Sequence, residues 1–275
     1  MKYSAEIAQK LEEGVQKIFE SGEYKKYLSC ASKFHNYSAN NVVLILSQKP
    51  EASLVAGYQT WKGLNRQVRK GEKAIKIMAP MTRKTTVKEK DKNGQDVEKE
   101  TVYTTFRTVN VFDVSQTDGE ELPTIDSVVK SLDGSVEDYV KFIERMTKVA
   151  GMPVTYEDIE GTANGFCNLG EKKIVIRKGM PEAQTVKTLV HEIAHSILHD
   201  KDNGTAKDAC QGDREVQAES VAYIVCDYFG IDTSDYSFGY IATWSGSKTT
   251  KELLASMSVI NKTANQIITA MEGGK

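Results

Sequence analysis

The sequence predicts an α+β protein of two domains, a helical and β-stranded basic domain followed by one built on a small sheet and an H-E-x-x-H helix. Three observations predict it. Charge divides along the chain: residues 1–114 carry 20 Lys+Arg against 13 Asp+Glu, a net of +7, and the remainder 16 against 25, a net of −9. Helical and strand periodicities alternate in both halves. Between them, SQTDGEELPTID at 115–126 is polar, acidic and Gly/Pro-bearing, which suits a linker. The expected domains are 1–118 and 119–275. A hydrophobic content of 40%, a charged content of 27% and five prolines describe a globular chain rather than a disordered or fibrous one. There is no signal-peptide pattern and no run of 18 uncharged apolar residues, so no membrane association is expected and the cytoplasm is the expected location. Cysteines 30, 167, 210 and 226 are scattered without a C-x-x-C pair, so reduced thiols are expected.

The N-terminal half opens with amphipathic helices expected over 4–20 and 23–34. The first carries Ile7, Leu11, Val15, Ile18 and Phe19 at helical spacing, with Ser4 as N-cap; Ser21-Gly22 separates the two. A third helix is expected over 38–47, ending before Pro50. The stretch 58–84 then holds eight basic residues against one acid, Glu72. Lys73 to Met78 alternates like a half-buried strand, which places Lys62, Arg66, Arg69, Lys70, Lys73 and Lys76 around a strand edge with Tyr58 and Trp61 at its start. Aromatic faces beside cations suit single-stranded nucleic acid, because any base stacks and phosphates pair with Lys and Arg. The alternative is a solvated basic face with Trp61 in the core. Thr85 to Thr105 reads as an exposed hairpin about Asn93-Gly94, and 106–114 as a buried strand.

The second half is expected to contain a helix over 136–149, short strands near 154–156, before Gly170, and at 173–177, and then a helix across 186–199, VKTLVHEIAHSILH. His191 and His195 at i, i+4 stack two imidazoles on one helix face where a single Zn2+ takes both, and Glu192 flanks the metal as a general base for water. Apolar neighbours nearly all round mean that the helix is buried, so these polar groups need partners. The strand at 173–177 is expected at the edge of the cleft, where a peptide substrate adds as a further strand. A tetrahedral catalytic site needs a third protein ligand. Glu215 and Glu219, one turn apart on a helix over 213–229, are the candidates. Tyr236 and Tyr240 are candidate oxyanion donors, with packing as the other reading. His199 reads as a helix-end side chain favoured by the dipole, and Cys167 as either an inhibitory thiolate or a plain buried thiol. A last helix is expected over 249–271.

The pattern H-E-x-x-H, loop, E-x-x-x-acid resembles the gluzincin metallopeptidases. That resemblance implies Glu215 as the metal ligand and Glu219 as the residue holding a ligand histidine, with the reverse assignment open. FHNYSANNVVLILSQKPEASLVAGYQTWKGLNRQVRKGEKAIKIMAP, residues 34–80, resembles the N-terminal domain of the ArdC family of antirestriction proteins, carried on conjugative plasmids and similar mobile elements. LVHEIAHSILH and REVQAESVAYIVCDYFG are similar to the zinc peptidase domains of ArdC-like and ImmA/IrrE-like proteins. The resemblance implies a single-stranded DNA-binding domain joined to a zincin-like metallopeptidase domain with an unidentified protein or peptide substrate, protecting incoming DNA from restriction. Two other readings are a regulatory metallopeptidase that cleaves a repressor and a DNA-protecting binding protein whose metal is not catalytic.

Overall fold

A computed structural model describes residues 5–20, 22–90, 96–122, 136–202, 204–206, 208–236 and 238–273. The chain divides into two compact units, one of residues 1–14 and 44–120 and the other of 15–43 and 121–275. The expected basic domain, 1–118, includes residues 15–43. In the structure they cluster with the second unit, because aromatic side chains of the helix Tyr24–Lys33 find buried polar partners there: the Tyr24 hydroxyl lies 2.8 Å from Ser220 Oγ and Tyr27 donates to Asn261 Oδ1 at 2.7 Å.

The first three helices, α1 (Ala5–Glu20), α2 (Tyr24–Lys33) and α3 (Ala39–Gln48), fall within a residue or two of the expected bounds. Ser4 and Ser21, expected as cap and breaker, lie outside the described residues. Next come β1 (Val55–Ala56), α4 (Tyr58–Gly63), β2 (Arg66–Val68), β3 (Ile75–Lys90), β4 (Asp96–Asp113), a 3-10 turn at Val114–Gln116 and β5 (Thr117–Gly119). Strands β1, β4 and β3 form one antiparallel sheet in that order, and β2 pairs with β5. The ladder between β3 and β4 runs from Ile75↔Val111 to Lys90↔Asp96, so the expected hairpin is present; its Asn93-Gly94 turn lies outside the described residues. Residues 106–114 are less buried than alternation implied. Val111 and Asp113 are buried, while Phe106, Val109, Phe112 and Val114 are half-buried.

The core of the first unit gathers Ile7, Leu11, Ile45, Trp61, Ile75, Ile77 and Val111. One side chain ties helix to sheet: Gln48 donates to the Lys76 carbonyl at 2.9 Å and accepts from its N–H at 3.0 Å, imitating a strand partner for β3.

In the second unit, α5 (Val136–Val149) precedes β6 (Val154–Glu157), β7 (Gly165–Asn168) and β8 (Lys173–Arg177). The sheet order is β6-β8-β7, with β6 parallel and β7 antiparallel to β8. This corrects the expectation that 173–177 is the cleft edge. It is the central strand, paired on both sides, which is why Ile174, Val175 and Ile176 are all buried. The helices α6 (Glu182–His199), α7 (Gln211–Tyr228), α8 (Ile241–Ser245) and α9 (Thr250–Met271) complete the unit. Helix α7 buries Val216, Ala218, Val221, Ala222, Ile224 and Val225 around much of its circumference, as an internal helix must. A capping box at Thr249, with Glu252 donating no proton but accepting the Thr249 N–H at 2.7 Å, starts α9. Among the described residues no helix is long and apolar enough to cross a membrane.

Candidate metal centre and basic groove

Helix α6 presents His191 and His195 one turn apart with their Nε2 atoms 3.1 Å apart. Helix α7 brings Glu215 Oε2 to 3.6 Å from His191 Nε2 and 3.7 Å from His195 Nε2. Ligand atoms about 2.0–2.2 Å from one tetrahedral ion lie roughly 3.3–3.6 Å from each other. The three donors therefore fit a single small cation, and their chemistry, two imidazoles and a carboxylate, suits a divalent one. Burial works against protonation of His191, yet the carboxylates of Glu215 and Glu219, with Glu192, push its pKa up to about 10. The two imidazoles hold Glu215 far below the usual carboxylate range. A cation at this point meets strongly negative surroundings.

Glu219 accepts from His191 Nδ1 at 3.1 Å, so its carboxylate keeps the proton on that nitrogen and turns Nε2 inward. Glu192 is 7% exposed. Burial raises its pKa more than His191 and His195 lower it, and a backbone hydrogen bond at Cys167 anchors it against β7. Burial likewise pushes the Cys167 thiol up to about 12, with Glu192 and Asp200 adding to it, which favours the plain thiol over the inhibitory thiolate. His199 is fully buried, lies 2.9 Å from His195 through their Nδ1 atoms, and is held neutral by desolvation, its pKa lowered to about 4. A dipole-stabilised charge at the helix end is therefore the wrong reading for it.

Beside these groups is a cleft of about 260 Å3 lined by Asn164, Gly165, Gln184, Lys187, His191, Glu192, Glu219, Asp235 and Tyr236. The structure thus brings Tyr236 to the site, while Tyr240, 43% exposed, has its pKa pushed up to about 12 by burial and then by Glu219 and Glu215. Sequence reasoning missed Lys187 and Asp235, which pair at 2.5 Å with Lys187 Nζ 5.6 Å from the Tyr236 ring centroid. A signal existed: Lys187 precedes His191 by four residues and so shares its helix face.

The predicted nucleic-acid residues separate in the first unit. Trp61 is fully buried, its Nε1 donating to the Phe112 carbonyl at 2.9 Å, so its ring is packed in the core and not offered to a base. Arg66 clamps β5 through Thr117 Oγ1 at 2.8 Å, the Thr117 carbonyl at 3.0 Å and the Glu120 carbonyl. Arg69 pairs with Glu72 at 2.8 Å and Asp118 at 3.2 Å, and Lys76 with Glu6 at 2.9 Å. Lys62, Lys70 and Lys73 are exposed. Tyr58, 44% exposed, accepts from Gln67 Nε2 at 2.6 Å and lines a groove of about 590 Å3 together with Arg69, Lys70 and Asp118.

Comparison with known proteins also divides the chain in two, with residues 15–43 on the N-terminal side. Residues 2–112 match the family model for the N-terminal domain of anti-restriction factor ArdC, and residues 147–263 match that for the IrrE N-terminal-like domain, a peptidase family. An uncharacterized Bacillus anthracis protein, pXO2-81, is 28% identical across 97% of this chain, which spans about half (51%) of that relative's length. Two crystal structures of the antirestriction ArdC protein from plasmid R388 share the fold. The metal-free one has a TM-score of 0.59 at 18% identity, covering 96% of this chain and 98% of that one. The Mn(II)-bound one has a TM-score of 0.59 at 17% identity, covering 95% and 97%. With an ArdC N-terminal domain followed by an IrrE-like peptidase domain on one α+β chain, this is an ArdC-like protein.

Proposed function

We propose that this chain is an antirestriction-type protein of a mobile element that binds single-stranded DNA and carries a zinc-dependent peptidase site on His191, His195 and Glu215. The observation that carries the reading is the convergence of three ligand-type atoms 3.1, 3.6 and 3.7 Å apart with a buried carboxylate, Glu192, adjacent in sequence to the first of them. Two imidazole nitrogens and one carboxylate oxygen are the donor set that would hold a catalytic rather than a structural zinc. The Mn(II) bound by the R388 protein makes manganese the competing ion.

When bound, such a metal polarises a carbonyl and lowers the pKa of water. The chain's own residues do the remaining work. Glu192, with its proton affinity raised by burial, takes the proton of the attacking water and returns it to the leaving amine. Glu219 holds His191 in the tautomer that faces inward. Tyr236 lines the cleft with its hydroxyl donating to Cys226 Sγ at 3.8 Å, so Tyr240, nearby, is the better candidate hydroxyl for the developing oxyanion. Strand β7 is bonded to β8 on one side, and its Gly165 lines the cleft. It therefore replaces 173–177 as the strand on which an extended peptide would add.

In the first unit the groove at Tyr58 offers one exposed ring beside Lys70, with Lys62 and Lys73 exposed as well. This combination suits a DNA single strand, with the ring stacking a base and the ammonium groups meeting phosphates. Metal analysis of the purified protein, a single-stranded DNA shift assay, and assays of proteolysis and DNA protection with wild type and Glu192→Gln test the whole reading. The expected result is that Glu192→Gln retains metal and DNA binding and loses hydrolysis. Wild-type hydrolysis by the variant rules out the assignment of Glu192. Undiminished DNA protection by a hydrolytically dead variant favours a DNA-protecting protein whose metal is not catalytic.

A further inference from the structure

A neutral imidazole carries one N–H, and which nitrogen carries it is set by what the other nitrogen meets. For His191 the neighbour is the carboxylate of Glu219, an acceptor, so Nδ1 carries a proton whether or not the ring is charged. Behind His195 stands another imidazole. The Nδ1 of His195 lies 2.9 Å from Nδ1 of His199, and a contact between two imidazoles is satisfied with the proton on either ring. The group behind His199 breaks the tie. His199 Nε2 is 3.1 Å from Gln217 Oε1, a carbonyl oxygen that only accepts. His199 must then hold its proton on Nε2, its Nδ1 must accept, and His195 must donate from Nδ1. That leaves His195 Nε2 with a bare lone pair, pointing at His191 Nε2 and Glu215. The amide nitrogen of Gln217 donates to Ser256 Oγ at 3.3 Å on α9. His199, Gln217 and Ser256 are 0%, 6% and 8% exposed, so water competes little for any of these bonds.

We infer that His199 and Gln217 are positioning residues that fix the tautomer of His195, and that the orientation of the Gln217 amide sets the direction of the chain. With that amide reversed, its NH2 donates to His199 Nε2, His199 donates to His195 Nδ1, and the proton of His195 moves to Nε2, where it blocks ligation. The inference rests on reading His191, His195 and Glu215 as a metal-ligand set. It assigns His199 a role that a helix-end charge does not describe.

Nitrogen-15 NMR of the histidine rings in the full-length, metal-free protein tests the tautomer without requiring metal. Wild type is expected to show His195 protonated on Nδ1. Gln217→Glu, whose carboxylate is an acceptor as well, should keep that pattern, and Gln217→Leu should populate the Nε2–H form. Competition for Zn2+ against a chromogenic chelator provides the second readout. Gln217→Leu and His199→Leu should each bind about tenfold or more weakly, as changes in groups that orient a ligand do, and the double variant should be no worse than either single one. If His199→Leu does not fold, as judged by circular dichroism, the Gln217 pair decides the matter. An unchanged His195 tautomer in folded Gln217→Leu overturns the inference. A wild type that shows the expected tautomer but binds no Zn2+ or Mn2+ overturns the metal assignment and leaves the proton chain standing.

Discussion

At Asp113 a single carboxylate organises a corner of the first unit. Its Oδ2 accepts from the N–H groups of Ser53 at 2.8 Å and Leu54 at 3.1 Å, and its Oδ1 from Ser115 at 2.9 Å. Burial alone would raise its pKa, but these hydrogen bonds outweigh burial and hold it below the usual value. A depressed folded-state pKa contributes stability that is present above the unfolded value of about 3.9 and lost as pH falls through the folded value. Asp113→Ala is therefore expected to cost about 1–3 kcal/mol at pH 7, from backbone donors left unpaired, and to flatten the loss of stability below about pH 4. Urea melts across that range check both. The same scale shows what a side chain's identity leaves open. Trp61 is an apolar body with one donor, suited equally to a base-stacking face and to a core, and only the position of the Phe112 carbonyl, 51 residues away, decides for the core. His199 was visible as a helix-end histidine, but its partner Gln217 lies on another helix and had no local signal.

Elements were more legible than their pairing. Helical periodicity and the Pro and Gly breaks placed α1, α2, α3, α5 and α9 to within a residue or two, because those signals are local. Sheet order is a relation between segments far apart, so the local pattern at 173–177 does not reveal its place in the sheet, although three consecutive buried apolar residues, Ile174 to Ile176, are the mark of a strand covered on both faces. The true neighbour of the site, β7, comes close to α6 through Gly165. A Cβ there would lie 2.7 Å from Thr188 Cγ2 and 2.9 Å from the Val175 carbonyl, and the latter is backbone that cannot swing aside. Gly165→Ala must push β7 off the helix or off β8. It is expected to destabilise by about 1–3 kcal/mol and, because Gly165 lines the cleft beside Glu192, to lower hydrolysis beyond what thermal melts account for. Wild-type melting and turnover in that variant would show that β7 has room to spare.

At the scale of the whole molecule, the charge split that marked two halves survives as two chemically different units, but less of the positive charge is on offer than composition suggested. Arg69 and Lys76 pair theirs with Glu72, Asp118 and Glu6, and Arg66 commits its N–H donors to Thr117 and the Glu120 carbonyl, all within the first unit. That distinction separates two classes of variant. Arg66→Ala removes the clamp on β5 and should lower stability with DNA binding falling only as the unit loosens. Lys62→Ala, Lys70→Ala and Lys73→Ala together remove exposed charges and should leave the melting temperature nearly unchanged. For a single strand each phosphate contact contributes about 0.7 to the slope of log K against log salt concentration, so the triple variant should flatten that slope by about 2 and weaken binding most at low salt. Tyr58→Ala, which removes a stacking face and no charge, should weaken binding about 5- to 150-fold, corresponding to roughly 1–3 kcal/mol, at every salt concentration and leave the slope alone. Electrophoretic shifts of a labelled oligonucleotide over a salt series distinguish these patterns. A slope unchanged in the triple variant would place the DNA path elsewhere on the chain, whatever the peptidase unit does.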